Sequence, residues 1–319
     1  MPTPTRVLLW TDTPGAYLEA IAAAGLSNRV AAETLPRAQS PTPEQRATVE
    51  AMLALSAPPG LLPAMTALRW VQGLTAGIEG WLALPDLPPA LTLTSARGTH
   101  RESMPENILG ALFHIAKPYA AIMEDNRAGT WTRRMATPLN GKTLGILGLG
   151  AIGQDLARMA SAIGMRVIGT RRTQGALEGV AEVHPPENTS AVLAQSDFVL
   201  LLLPSTPATD NSVNAAMLAQ MKKGAWLLNF GRGALIVDAD LVAAVTSGHL
   251  AGAVLDVFRT EPLPKEHPFW ATPGITVLPH IGGGHPERDK TVAKLFVDNL
   301  ARFLDGKPLR EVVDRQAGY

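Results

Sequence analysis

Residues Leu144-Gly145-Ile146-Leu147 run straight into Gly148-Leu149-Gly150-Ala151-Ile152-Gly153, and an amphipathic stretch over 152–163 follows. An apolar strand, a G-x-G-x-x-G turn and a helix in immediate succession leave a chain few folds to choose from. The first glycine permits the tight turn, the second lets backbone approach a pyrophosphate, and the third lets helix and strand pack closely. The helix N-terminus then attracts the anion. A glycine-rich turn alone is often only a turn, but this context is the one dinucleotide binding requires. Gly148, Gly150, Ala151, Ile152 and Gly153 are therefore the expected cofactor-binding residues.

The surrounding rhythm supports a parallel sheet. Strands are expected over 143–147, 166–170, 198–203, 225–230, 253–257 and 275–278, mostly separated by helical segments. Val199 to Leu203 shows no polar alternation, as befits a parallel strand covered on both faces. The first third reads as strands over 6–10, 70–74 and 91–95 with a helix over 16–24, and loops around the prolines at 36–43 and 85–89. Ser103-Met104-Pro105-Glu106 has the form of a capping box opening a bridging helix that breaks near Pro118. A last helix follows Gly284, with Val292, Leu295, Phe296, Leu300, Phe303 and Leu304 on one face and Gly306 past its end. The chain, at 319 residues, is long enough for two domains of ordinary size.

Composition removes several functional classes. With no cysteine there is no disulfide, thiolate metal site or thiol nucleophile. Zero formal net charge provides no long-range field toward nucleic acid or an anionic membrane. The apolar run at the N-terminus is too short for a signal peptide, and the longest one, over 198–203, is far below spanning length. The expectation is a cytoplasmic protein without membrane, nucleic-acid or metal partners.

Where the strand over 166–170 ends, roughly 20 residues past the glycine turn, an Asp or Glu would grip the adenosine ribose. This chain has Thr170-Arg171-Arg172-Thr173 instead. Guanidinium forks and hydroxyls are donors suited to a 2′-phosphate. NADP(H) is expected over NAD(H), with NAD(H) possible; the alternative reading is a pair of solvated loop arginines.

Three further polar residues stand near predicted strand C-termini, where open α/β sheets bind ligands. Arg232 lies in Asn229-Phe230-Gly231-Arg232-Gly233, Glu261 in Arg259-Thr260-Glu261-Pro262, and His280 in Val277-Leu278-Pro279-His280. Taken singly they read as a surface charge, a turn residue and a strand-end imidazole. Taken together they supply a cation, an acid–base group and a carboxylate to orient it.

In the order TLGILGLGAIG, LLLPSTPAT, KGAWLLNFGRG, AGAVLDVFRTEPLP and VLPHIGG, the chain resembles the D-isomer-specific 2-hydroxyacid dehydrogenases over nearly its whole length. The terminal VVDRQAGY and the variant ribose loop resemble the glyoxylate/hydroxypyruvate reductase branch. This resemblance implies an α/β fold of two doubly wound parallel-sheet domains, a Rossmann cofactor domain inserted into a flavodoxin-like substrate domain. Residues 1–100 and 286–319 would form the substrate domain and 101–285 the dinucleotide-binding domain, and the protein would be a homodimer joined through the latter.

The resemblance also implies roles. Arg232 would hold the substrate carboxylate and polarise the 2-oxo group. His280 would donate a proton to the oxygen, and Glu261 would pair with His280 and favour the imidazolium. The backbone of Ala76, Gly77 and Ile78 would donate to the carboxylate. Leu203 and Pro204 would pack on the adenine side, Phe230 and Gly231 would border the cofactor, and Asp256 would meet the nicotinamide amide. Departures are the missing acidic ribose clamp, a bulky Phe230 expected to narrow the cofactor side, His285 as a loop residue beside the glycines, and Trp131, expected to be a packing residue. The activity implied is NADPH-dependent reduction of a small 2-oxo acid, glyoxylate or hydroxypyruvate. Alternatives are a dehydrogenase for larger D-2-hydroxy acids and a cofactor-sensing binding protein.

Overall fold

The computed structural model describes residues 3–316 and 318; Met1 and Pro2 of the N-terminal run, and Ala317 and Tyr319 of VVDRQAGY, lie outside the described residues. The chain forms two units, one made of residues up to Thr99 together with those from His285 on, the other of His100–Gly284.

The first unit holds a parallel five-stranded sheet in the order β2-β1-β3-β4-β5, a flavodoxin-like arrangement. Its elements are β1 (Thr5–Trp10), α1 (Gly15–Ala23), β2 (Val30–Leu35), α2 (Pro43–Thr48), β3 (Ala51–Ala54), α3 (Leu61–Ala64), β4 (Trp70–Gly73), α4 (Glu79–Leu82) and β5 (Thr92–Thr94). Every residue of β3 and β4 is buried, because helices cover both faces of a parallel sheet. The C-terminal helix of the chain (Arg288–Leu304) packs on this sheet: Val292, Phe296 and Leu300 are fully buried, and Phe296 stacks on Trp70 at 5.6 Å. Gly306 follows with a left-handed φ of 64°, as its place past the helix end required. The chain then returns alongside β5, where the Val313 N–H donates to the Leu93 carbonyl.

The second unit contains α5 (Ser103–Ala116), α6 (Tyr119–Arg127), β6 (Thr143–Leu147), α7 (Ala151–Ala162), β7 (Arg166–Thr170), β8 (Glu182–His184), α8 (Thr189–Gln195), β9 (Phe198–Leu201), α9 (Ala215–Leu218), β10 (Trp226–Asn229), α10 (Asp238–Thr246), β11 (Gly252–Leu255) and β12 (Ile275–Val277). The C-terminal helix of the chain is accordingly α11. Its seven strands are parallel in the order β12-β11-β10-β9-β6-β7-β8, so the strand order reverses between β6 and β9.

Two local expectations fail here. Ser103 does not cap α5: the cap position falls on Glu102 with no side-chain bond, and the Ser103 hydroxyl donates to the Gly283 carbonyl at 3.5 Å. A capping box does form at Thr42 and Gln45, each side chain bonded to the other's backbone N–H. The strand expected to reach residue 203 ends at Leu201, because Leu202 and Leu203 are drawn off into the close crossings described below. Among the described residues no helix is long and apolar enough to cross a membrane, and no group of three or more His, Cys, Asp or Glu could hold a metal ion.

Candidate active site

Each glycine of the turn after β6 answers to a different constraint. Gly148 has φ of 106°, and a Cβ there would lie 2.9 Å from the Leu202 carbonyl oxygen. At Gly153 a Cβ would lie 2.9 Å from the Gly148 carbonyl, so helix α7 sits against the turn at a distance only glycine allows. Around Gly150, in contrast, nothing lies within 4 Å of where a Cβ would be, and Gly150 and Ala151 are exposed. The turn is tied to the neighbouring strand by N–H bonds from Gly148 and Leu149 to the Thr170 carbonyl, at 3.2 and 2.9 Å. Open space thus faces the second glycine and the first turn of a helix, beside the end of β7.

At that strand end Thr170 is buried, Arg171 half-buried and Arg172 exposed. The Arg171 N–H donates to the His184 carbonyl at 3.0 Å, and its carbonyl accepts from Gln174 Nε2 at 2.7 Å. The nearby carboxylate, Glu182 on β8, is already engaged by His184 Nε2 and by Arg166.

Arg232 stands in a turn built by a residue the sequence reading did not single out. Asn229 ends β10 fully buried; its Oδ1 accepts the Gly231 N–H at 3.1 Å and its Nδ2 donates to the Arg232 carbonyl at 2.9 Å. A buried amide closing a strand of leucines was the available signal. A Cβ at Gly231 would lie 2.8 Å from the Leu203 carbonyl oxygen, and one at Gly233 only 1.9 Å from the Phe258 carbonyl carbon. The loop of Arg232 is therefore seated directly against the loop that leads to Glu261. Arg232 itself is half-buried and donates from Nη1 to the Gly231 carbonyl at 2.8 Å. Phe230 is 3% exposed and packs in the core with Leu228 and Val254.

Glu261 and His280 meet. Nδ1 of His280 lies 2.6 Å from Glu261 Oε2, while Glu261 Oε1 accepts the Phe258 N–H at 2.8 Å. With Nδ1 so engaged, Nε2 is the ring nitrogen left for a substrate. The imidazole side chain is 57% exposed and its residue has φ of 53°, a left-handed conformation uncommon outside glycine. What holds that conformation is Asp256, 1% exposed, whose two oxygens accept the Ile281 and Gly282 N–H groups at 2.7 and 2.8 Å. Burial holds the Asp256 carboxyl above its usual range, and these two donors offset only part of that rise. Asp256, expected at a nicotinamide amide, thus has a positioning role that the sequence did not announce. Asn107 adds a second tie, its amide donating to the carbonyls of Ile281 and Gly282.

Leu203 and Pro204 are half-buried, and the Pro204 carbonyl accepts from Thr209 Oγ1 at 2.7 Å. Ala76, Gly77 and Ile78 belong to the other unit, following β4; there Thr75 Oγ1 donates to the Gly77 carbonyl at 2.7 Å and Ile78 is buried. Trp131 does not pack: it is 99% exposed within the chain.

A carboxylate-bound imidazole with one nitrogen open can transfer a proton, and a guanidinium in a rigid glycine-flanked turn can hold an anion or polarise a carbonyl. Comparison with known proteins bears on the class of reaction. Residues 109–282 match the model of the D-isomer specific 2-hydroxyacid dehydrogenase NAD binding domain. The chain is 37% identical over 181 residues to glyoxylate/hydroxypyruvate reductase A of Serratia proteamaculans, covering 56% of each chain. It is 30% identical over 272 residues to glyoxylate/hydroxypyruvate reductase B of Citrobacter koseri, covering 80% of this chain and 81% of that one. The crystal structure of an NADPH-dependent glyoxylate/hydroxypyruvate reductase from Sinorhizobium meliloti, in complex with NADP and sulfate, superposes with a TM-score of 0.85 at 30% identity, covering 99% of this chain and all of that one.

Proposed function

The chain belongs to the D-isomer specific 2-hydroxyacid dehydrogenase family, in its glyoxylate/hydroxypyruvate reductase branch, and from that premise we propose that it reduces a small 2-oxo acid, glyoxylate or hydroxypyruvate, with NADPH. The observation that carries this reading is the 2.6 Å contact of His280 Nδ1 with Glu261, which leaves Nε2 as the ring nitrogen for acid–base work. The residues from His100 to Gly284 are assigned to the dinucleotide, and the flanking segments to the substrate domain.

The residues present fit a phosphorylated dinucleotide. The open space at Gly150 suits a pyrophosphate at the α7 N-terminus, and Arg171 and Arg172 suit a 2′-phosphate in place of an acidic ribose clamp. NADPH, when bound, supplies the hydride. Arg232 holds the substrate carboxylate and draws electron density from the 2-oxo group. His280 delivers its proton from Nε2 to the carbonyl oxygen as carbon 2 is reduced, giving the 2-hydroxy acid. Glu261, fixed by the Phe258 N–H, holds the imidazole in the orientation this transfer needs.

An absorbance assay at the nicotinamide band, crossing NADPH and NADH with glyoxylate, hydroxypyruvate, pyruvate and a bulky 2-oxo acid, tests the proposal. The highest kcat/KM is expected with NADPH and one of the first two acids; a preference for the bulky acid would refute the substrate assignment. In the same assay, replacing both Arg171 and Arg172 with alanine is expected to weaken NADPH roughly 10- to 100-fold, the loss of charge-assisted hydrogen bonds, with little change for NADH. An equal effect on both cofactors would remove the 2′-phosphate from this loop.

A homodimer joined through the cofactor unit is part of the same proposal. Tyr119 and Met123 on α6, and Trp131 and Met135 just after it, are 65%, 55%, 99% and 89% exposed. Large apolar side chains so grouped on a surface mark an interaction site. Sedimentation should find a dimer, and Trp131→Glu should shift it toward monomer; an unshifted Trp131→Glu dimer would place the interface elsewhere.

A further inference from the structure

Three loops leave the C-terminal ends of β9, β10 and β11, which are neighbours in the sheet, and one side chain reaches all three. Arg259, on the β11 loop, donates from Nη2 to the Ala234 carbonyl at 2.9 Å, to the Ile236 carbonyl at 3.0 Å and to Asn211 Oδ1 at 2.7 Å. Its Nη1 lies 3.3 Å from Asp210 Oδ1. Ala234 and Ile236 belong to the β10 loop, two and four residues past Arg232; Asp210 and Asn211 belong to the β9 loop. Arg259 itself lies two residues before Glu261.

We infer that Arg259 is a positioning residue that fixes the β10 loop carrying Arg232 relative to the β11 loop carrying Glu261. A planar guanidinium suits the task, because it presents several donors in a fixed fork, so that acceptors on different loops are held in one geometry. The backbone around it is arranged to be read this way. Asn211 adopts a left-handed φ of 54°, and its N–H donates to the same Ala234 carbonyl at 2.9 Å. Val213 N–H donates to the Leu235 carbonyl at 2.9 Å, and Val237 N–H donates back to the Val213 carbonyl at 3.0 Å. The β9 and β10 loops are thus laced together by backbone, and Arg259 adds the β11 loop to them.

The Gly233 contact brings the β10 and β11 loops together by exclusion but does not hold them. A steric stop sets a minimum separation, whereas the Arg259 fork supplies attraction and direction. The consequence falls on Glu261 through one residue: the Phe258 N–H that orients the Glu261 carboxylate is adjacent to Arg259 in the chain. Losing the fork frees that N–H to move relative to the Arg232 turn. A 1 Å misplacement of a catalytic group can lower turnover by about 10²-fold.

This inference rests on the proposed reductase reading only for its activity measurement. Arg259→Met keeps the apolar stem and removes the fork. It is expected to lower kcat with the small 2-oxo acid by roughly 10- to 100-fold while NADPH affinity, measured by nicotinamide fluorescence, stays within about twofold. Arg259→Lys, which keeps the charge without the fork, should recover part of the lost kcat. A kcat within about twofold of wild type in Arg259→Met, or a parallel loss of NADPH binding, would overturn the assignment. Should Arg259→Met fail to fold, Asn211→Gly decides: it preserves the left-handed backbone, removes one acceptor, and should lower kcat in the same direction by less. An unchanged kcat there overturns the proposal. Amide exchange supplies the independent arm: the N–H groups of Asn211 and Phe258 should exchange faster in Arg259→Met, and unaltered exchange would mean that the guanidinium holds nothing. If the wild-type protein reduces no 2-oxo acid, the reductase reading fails and the exchange comparison still decides on Arg259.

Discussion

Alanine in place of His280 is expected to lower turnover of the 2-oxo acid by about 10²–10⁴-fold, the worth of a positioned general acid, and to leave NADPH binding and thermal stability close to wild type. The asymmetry follows from where the imidazole sits. Its side chain is 57% exposed and belongs to no core cluster, so truncation opens no cavity. The loop that carries it is held from outside the ring, by Asp256 on the Ile281 and Gly282 N–H groups and by Asn107 on their carbonyls. Stopped-flow or steady-state absorbance, paired with fluorescence titration of NADPH, checks both halves. Loss of NADPH binding in His280→Ala would make the imidazole a structural group and withdraw its chemical role.

Gly233→Ala should produce the largest structural effect of any single methyl in the molecule's active region. The added Cβ would lie 1.9 Å from the Phe258 carbonyl carbon and 2.3 Å from both the Phe258 oxygen and the Arg259 nitrogen. All three are backbone atoms, so no flexible side-chain end can yield. Overpacking typically costs about 1–3 kcal/mol and sometimes more, and a contact this close belongs at the upper end. At about 2–4 °C per kcal/mol for a unit of this size, the melting temperature should fall by roughly 6–12 °C. Turnover should fall with it, because the β10 and β11 loops can accept the methyl only by moving apart, which separates Arg232 from the Glu261–His280 pair. A melt by circular dichroism within a degree or two of wild type would mean that the two loops are less tightly seated than this geometry requires.

The parts of the fold that could be read in advance were those whose signal is local. Val199 to Leu201 has no polar alternation because a parallel strand is covered on both faces, and that pattern survives in the linear chain. The break at Pro118 follows from a missing N–H. The expectations that failed turned on distant partners. Ser103 met the composition of a capping box, yet its hydroxyl found the Gly283 carbonyl 180 residues away. Trp131, expected to pack, is 99% exposed among the described residues.

The candidate site divides the same way. Glycines at 148, 150 and 153, arginines at 171, 172 and 232, and the pair Glu261 and His280 were expected at a site because such chemistry demands particular residue types at strand ends, and the structure brings Glu261 and His280 into contact. Their supports were not expected. Asn107, Asp256 and Arg259 act by bonding backbone groups of other segments, and a backbone group carries the same N–H and C=O whatever the residue, so no such pairing can be read from composition or spacing; Asn229 bonds only its own turn. The order of residues alone determined that this chain forms doubly wound sheets with a dinucleotide turn and carries an imidazole, a carboxylate and a guanidinium at their ends. Only the folded backbone decided that Gly233 must touch Phe258, that Asp256 holds His280 in a left-handed turn, and that one arginine joins three loops, because each depends on which strands lie side by side.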